Sequence, residues 1–190
     1  MGHIALQHVT RRFDNGHEAL SDVSVEFAQG SMTFLTGHSG AGKSTFLKLL
    51  LRADLPTRGK VLVNDVDIAK LPDRRLPRYR QHLGVVFQEP TLMPWATVTQ
   101  NVFLPFKLKG TAYAAVKDDI LEALKLVGLE KFQNSYPREL SGGMKMRVSI
   151  ARAMVTKPRL ILMDEPFAAL DEITRFKLNN DLLELKAAYG

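Results

Sequence analysis

The sequence predicts an α/β fold: a P-loop core, an antiparallel β subdomain ahead of it, and an inserted α-helical subdomain. Three observations lead there. Gly37-His38-Ser39-Gly40-Ala41-Gly42-Lys43-Ser44-Thr45 fits the pattern G-x-x-x-x-G-K-[ST]. Alternating apolar residues before it read as half-buried strands, as in Val23, Val25 and Phe27 with Ser24 and Glu26 between them. A continuous apolar run, Leu160-Ile161-Leu162-Met163, ends in Asp164 and Glu165.

The glycine-rich stretch is flanked as a phosphate-binding loop requires. Met32-Thr33-Phe34-Leu35 reads as the strand before it, and Phe46 to Leu51 as the helix after it. Glycines let the backbone curl so that its N–H groups converge on a polyphosphate, and the helix N-terminus favours the anion. Lys43 then reaches the β- and γ-phosphates, and the Ser44 hydroxyl ligates Mg²⁺.

Other elements follow in chain order. Ile4 to Val9 and Val61-Leu62-Val63 read as further strands of the first sheet, and Asn15-Gly16 as a turn. Phe13, just ahead of that turn, is either an adenine-stacking ring or a core residue. His82 to Phe87 reads as a buried strand ending in Gln88. An amide at that end of a core strand is placed to meet a Mg²⁺ or an attacking water, although glutamines end many strands.

After Gln88 the composition changes. Pro90, Pro94 and Pro105 punctuate a loop-rich stretch that also holds Trp95, a residue suited to a core or to a partner contact. Val116, Ile120, Ala123, Leu124 and Val127 then recur at helical spacing up to Gly128. A helix with Met144, Val148, Ala151 and Val155 on one stripe follows Ser141-Gly142-Gly143. Ser141 is a natural cap, and the two glycines expose backbone N–H groups to an anion. A plain capped helix has the same local sequence. At the end of the Leu160–Met163 strand, Asp164 is suited to hold Mg²⁺ and Glu165 to act as general base on water. Ala168-Ala169-Leu170-Asp171 reads as a loop before a last helix carrying Leu178, Leu182, Leu185 and Tyr189.

Composition bounds the class. The chain has 190 residues, 45% of them hydrophobic, enough for a core and against global disorder. No apolar run approaches the ~18 residues of a membrane span. With no cysteine there is no disulfide and no thiolate metal site. The expected location is the cytoplasm, peripheral on the inner face of the cell membrane. The net charge of +6 is densest at Arg74, Arg75, Arg78 and Arg80, which reads as a solvated basic face. No nucleic-acid motif accompanies it, and no nucleic-acid partner is expected.

Taken together, these residues resemble the nucleotide-binding domain of ATP-binding cassette (ABC) proteins, over nearly the whole chain. Residues 37–45 look like the Walker A loop, Gln88 like the Q-loop, and Leu140 to Met144 like the signature motif. Residues 160–165 look like Walker B, residues 168–171 like the D-loop with Asp171, and Phe13 like the adenine-stacking aromatic. Met144 stands where glutamine is usual, a variant found in some importers.

The resemblance implies a P-loop NTPase core of ABC type and an ATPase with ATP and Mg²⁺ as cofactors. It implies contacts to ATP from Phe13, Gly37, His38, Ser39, Gly40, Ala41, Gly42, Lys43, Ser44 and Thr45. Metal contacts would come from Ser44, Gln88 and Asp164. A second copy, or a paired nucleotide-binding domain, would pack head to tail. Its Ser141, Gly142, Gly143 and Met144 would close over the nucleotide, and an integral membrane permease or a divisome membrane protein would be moved. The chain divides on this basis into 1–88 (β subdomain and first part of the core), 89–157 (helical subdomain) and 158–190 (the rest of the core).

Two departures accompany the resemblance. Residues up to 88 look like the bacterial cell-division ABC ATPase, and residues from 89 like nitrate, sulfonate or taurine importer ATPases, which is the pattern of a chimera. The family's switch histidine lies beyond Walker B, and none of His3, His8, His17, His38 or His82 matches it. The expectation is ATP binding with weak or absent hydrolysis. Alternatives are a non-hydrolysing clamp and a soluble nucleic-acid-associated ABC ATPase.

Overall fold

The computed structural model describes residues 3–166 and Glu172. It divides into two compact units, one on each side of the step from His82 to Leu83. The boundaries at 88/89 and 157/158 are those that the resemblance implies.

The first unit is built on a four-stranded sheet. Strands β1 (Ile4–Arg12) and β2 (Glu18–Phe27) form an antiparallel pair across the Asn15-Gly16 turn. β3 (Arg58–Val63) pairs antiparallel with the other side of β1, and β4 (Val66–Asp67) completes the order β2-β1-β3-β4. The register Leu6↔Val25 and Leu6↔Val61 aligns apolar residues across three strands. Helix α1 (Lys43–Leu50) buries Phe46, Leu49 and Leu50, and Phe46 meets Phe27 edge to face at 5.9 Å.

Helix α2 (Leu76–Arg80) locks the end of α1. The Tyr79 hydroxyl donates to the Leu50 carbonyl at 2.6 Å, and Arg80 donates to the carbonyls of Leu51 and Arg52. These are the C-terminal carbonyls that a helix leaves unsatisfied. Arg80 is therefore tied to a helix end, while Arg74, Arg75 and Arg78 are exposed.

One expected strand does not form. Residues 31–38 have no regular structure, and Phe34 and Leu35 are 70% and 47% exposed. The run is apolar enough for a buried strand, but a strand needs a ladder partner as well as apolar side chains. The edges of the sheet in this unit are β2 and β4, and residues 31–38 pair with neither.

Among the described residues, the second unit joins a parallel strand pair to the helices of one core. β5 (Leu83–Val86) and β6 (Leu160–Met163) pair in the register Val86↔Met163. The strand expected over 82–87 is thus shorter, and Phe87 lies outside it, exposed. β6 is less buried than its continuous apolar run implies: among its four residues only Leu162 is buried. A two-stranded sheet leaves much of its surface without a neighbour.

Helices α3 (Val98–Leu108), α4 (Tyr113–Leu126) and α5 (Gly142–Met154) surround one core that includes Val98, Val102, Ile120, Leu124, Met146, Val148 and Ile150. α4 buries Val116, Ile120, Ala123 and Leu124, as the spacing predicts. α5 is buried on more than the expected stripe, because Met146, Ile150 and Met154 are also covered. It packs between β5 and the other two helices. Gly84 permits that approach: a Cβ there would come within 2.6 Å of the Ala153 carbonyl oxygen.

Pro105 lies inside α3 and not in a loop. It removes one helix hydrogen bond near the C-terminal end, a cost that the buried faces of Val98 and Val102 offset. At the other end a Thr97/Gln100 capping box fixes the start of α3. Trp95, just before it, is 74% exposed and is not a core residue. Among the described residues no helix is long and apolar enough to cross a membrane.

Asn101 is wholly buried and ties the 93–97 loop to α3. Its Oδ1 accepts from the Met93 amide, and its Nδ2 lies within hydrogen-bond distance of the carbonyls of Met93, Ala96 and Thr97. Asn101→Ala should lower unfolding free energy by about 2–4 kcal/mol in urea titrations, since the partners stay buried and lose their bonds. Burial raises the Tyr79 pKa from 10.0 to about 12. The stability this contributes is complete below pH 10 and is lost as pH rises through about 12. The urea midpoint should therefore fall over that window, and Tyr79→Phe should remove Tyr79's share of the fall.

Candidate functional site

The phosphate-type loop ends in a backbone conformation that only glycine adopts easily. Gly42 is the residue before α1, at φ 88°, and no side chain caps the helix. A Cβ at Gly42 would also run into the Ala19 carbonyl of β2. The helix therefore starts abruptly, its first-turn N–H groups facing the loop, an arrangement suited to an anion.

Lys43 is folded back over this loop. Its Nζ donates to the carbonyls of Gly37 at 2.8 Å and His38 at 3.0 Å. The ammonium is thereby held against the loop. His38 Nδ1 lies 2.7 Å from the Ser39 carbonyl, which requires that Nδ1 carry the proton. Residues 37–41 and Ser44 are exposed, and Gly42, Lys43 and Thr45 are half-buried.

Phe13 belongs to the same unit. It is half-buried, with the Arg11 guanidinium 4.5 Å from its ring centroid. The His17 ring lies nearly parallel to it at 6.2 Å. Phe13 thus sits in a small stack at the β1–β2 turn, and is neither fully exposed nor a core residue.

In the second unit, the parallel pairing of β5 and β6 brings their C-terminal ends to one sheet edge. The Asp164 amide donates to the Val86 carbonyl at 2.9 Å, extending the ladder one step past Met163. Gln88 leaves the same edge two residues after β5, exposed. Asp164 is half-buried and Glu165 exposed. Glu165 adopts φ 44°, a left-handed conformation that costs energy in a residue with a Cβ. Gln88 and the Asp164-Glu165 pair, far apart in sequence, thus both follow strands that end at one sheet edge. Their oxygen donors suit a hard cation such as Mg²⁺.

Ser141 caps α5, its Oγ accepting from the Met144 amide at 3.2 Å. Gly142 stands in open space: a methyl group there would meet nothing within 4 Å. Met144 is half-buried against the helical core. Asp171 and the rest of the 168–171 loop lie outside the described residues, as does the stripe from Leu178 to Tyr189.

One residue near this edge has no signature in the loop patterns. Arg152, on α5, hydrogen-bonds to Pro90 and Thr91, two and three residues after Gln88. An arginine within the small apolar run Ala151-Arg152-Ala153-Met154 is its sequence trace.

Comparison with known proteins gives a consistent result. Residues 20–168 match the family model described as ABC transporter. The chain is 38% identical over 182 residues to the cell division ATP-binding protein FtsE of Bacillus subtilis, covering 96% of this chain and 80% of that one. That alignment crosses both sequence halves. It is 42% identical over 190 residues to the methionine import ATP-binding protein MetN of Sodalis glossinidius, covering 98% of this chain and 55% of the relative. Against the glycine betaine/proline betaine transport protein ProV of Salmonella typhimurium it spans 43% of the relative. The chain thus covers about half the length, or less, of the MetN and ProV relatives.

Among solved structures, the dimeric post-hydrolysis ATP-binding cassette MJ0796, bound to ADP and Pi, superposes with a TM-score of 0.85 at 36% identity. That match covers 96% of this chain and 82% of the other. CbiO1 of Clostridium perfringens, part of the ABC transporter complex cbiONQ, gives 0.89 at 26% identity, covering 98% and 74%. The chain therefore belongs to the ABC transporter family, as an ATPase of its ATP-binding cassette type.

Proposed function

We propose that this chain binds Mg-ATP in a head-to-tail dimer and hydrolyses it to drive a membrane partner of importer or cell-division type. The observation that carries the reading is the junction at Gly42. A left-handed glycine opens an uncapped helix, and Lys43 is turned back over the loop mouth. That is a cradle for a polyphosphate.

Each residue then has a role. Backbone N–H groups of residues 37–45 hold the phosphates, and Lys43 exchanges its carbonyl partners for phosphate oxygens. Phe13 offers the face of its ring to the adenine. Ser44, Gln88 and Asp164 supply oxygen ligands for Mg²⁺, which when bound neutralises phosphate charge. Glu165 accepts a proton from the attacking water, and its left-handed backbone fixes where the carboxylate projects. Gly142 leaves room for another molecule's phosphates at the start of α5, consistent with closure by a second copy. Asp171 would meet that copy. The proposed location is cytoplasmic, peripheral on a membrane partner contacted through the helical unit.

Two variants test this. Gly42→Ala should weaken ATP binding at least about tenfold in nucleotide titrations, since the left-handed turn and the Ala19 contact both forbid a Cβ. Glu165→Gln should keep ATP affinity within about threefold, double in mass with Mg-ATP, and lose about 100-fold in phosphate release. A wild-type chain that fails to bind ATP, or a Glu165→Gln variant with undiminished turnover, overturns the reading.

A further inference from the structure

The segment that carries Gln88 is held from outside its own strand. Arg152 Nη1 donates to the Thr91 carbonyl at 3.0 Å. Its Nη2 donates to the Pro90 carbonyl at 2.9 Å and meets Thr91 Oγ1 at 3.3 Å. Three acceptors on two consecutive residues thus converge on one guanidinium. Its planar fork fixes their relative orientation, which the single ammonium of a lysine does not.

The held segment is under strain. Thr91 has φ 45°, an outlier for a β-branched residue. Such a conformation persists when the surroundings over-determine it. Arg152 supplies that constraint through both its carbonyl and its side-chain contact. Burial lowers the Arg152 pKa, so the site desolvates a charge to make these bonds.

Arg152 is half-buried on a buried helix. Its neighbours Ala151, Ala153 and Met154 are buried. The helix that carries it starts at the Ser141 cap, eleven residues earlier, roughly 16 Å along the axis.

We propose that Arg152 is a positioning residue for Gln88: it clamps Pro90 and Thr91, so that Gln88 is held at the edge of β5 and its placement follows helix α5. This rests on the reading of Gln88 as a Mg²⁺ ligand. The start of α5, where a second copy would meet Ser141 and Gly142, and the Gln88 segment are then two ends of one rigid lever.

Hydrogen–deuterium exchange of the full chain without nucleotide tests the clamp directly. In Arg152→Ala and Arg152→Lys, the amide of Met93, which donates to Asn101 Oδ1 two residues after the clamped Thr91, should exchange about tenfold faster, the loss of roughly one charged hydrogen bond that opposes opening of this loop. Amides of residues 144–150 should keep wild-type protection. If Met93 and residues 144–150 speed up together, or if a folded Arg152→Lys shows wild-type exchange at Met93, the clamp is refuted. The lysine variant retains the charge and stem, so it decides the matter should the alanine variant fail to fold.

A second measurement addresses function. The Mg²⁺ concentration for half-maximal ATP turnover should rise about threefold or more in Arg152→Lys, while ATP affinity without Mg²⁺ stays within twofold. An unchanged Mg²⁺ requirement overturns the positioning role. A wild-type chain that binds no ATP defeats the reading of the site, and the exchange data still decide the clamp.

Discussion

The parallel register of β5 and β6 is the constraint on which the candidate chemistry depends. Two parallel strands must end at the same edge of their sheet. The Val86↔Met163 pair, followed by the Asp164-to-Val86 hydrogen bond, therefore sets Asp164 at the strand end that Gln88 follows by two residues, across a gap of more than seventy residues. A slip of one residue would reverse which side chains face the core and turn Leu162 and Val86 outward. The burial of Leu162 and Val86 penalises that slip, so hydrophobic packing and the placement of the acids are one requirement.

The intervening chain keeps that register by burying α5. This helix packs against β5 through a contact that Gly84 alone permits, and it also packs against α3 and α4. It runs from a serine cap to a half-buried arginine in its last turn. Both ends do something: the first turn offers an open glycine, and the last turns grip the segment after β5. The helix is thus more than a core element, and its burial on several faces is what makes it rigid enough for such a role.

In the first unit the comparable device is the N-terminus of α1. The helix is anchored at its far end, where Tyr79 and Arg80 satisfy the carbonyls of Leu50, Leu51 and Arg52. Its near end carries no side-chain cap. A helix saturated at its C-terminus and open at its N-terminus presents the positive end of its dipole to the loop. Lys43 adds a full charge beside it.

The sequence by itself determined the α/β class, the antiparallel first sheet, α4 and the cap of α5. Each of these follows from local rules: alternation, 3.6-residue spacing, and Ser141 ahead of two glycines. It also determined the family, because spaced glycines, a lysine and strand-terminal acids are local patterns too. Tertiary structure alone decided what depends on a partner in space. Met32 to Leu35 carries strand-like side chains and forms no strand, since pairing belongs to two segments and not to one. Pro105 sits in a helix because Val98 and Val102 are buried against other helices. Trp95 is exposed because the fold closes without it. Arg152 reaches Pro90 and Thr91 only once α5 lies against β5, a contact across some sixty residues that no local periodicity encodes.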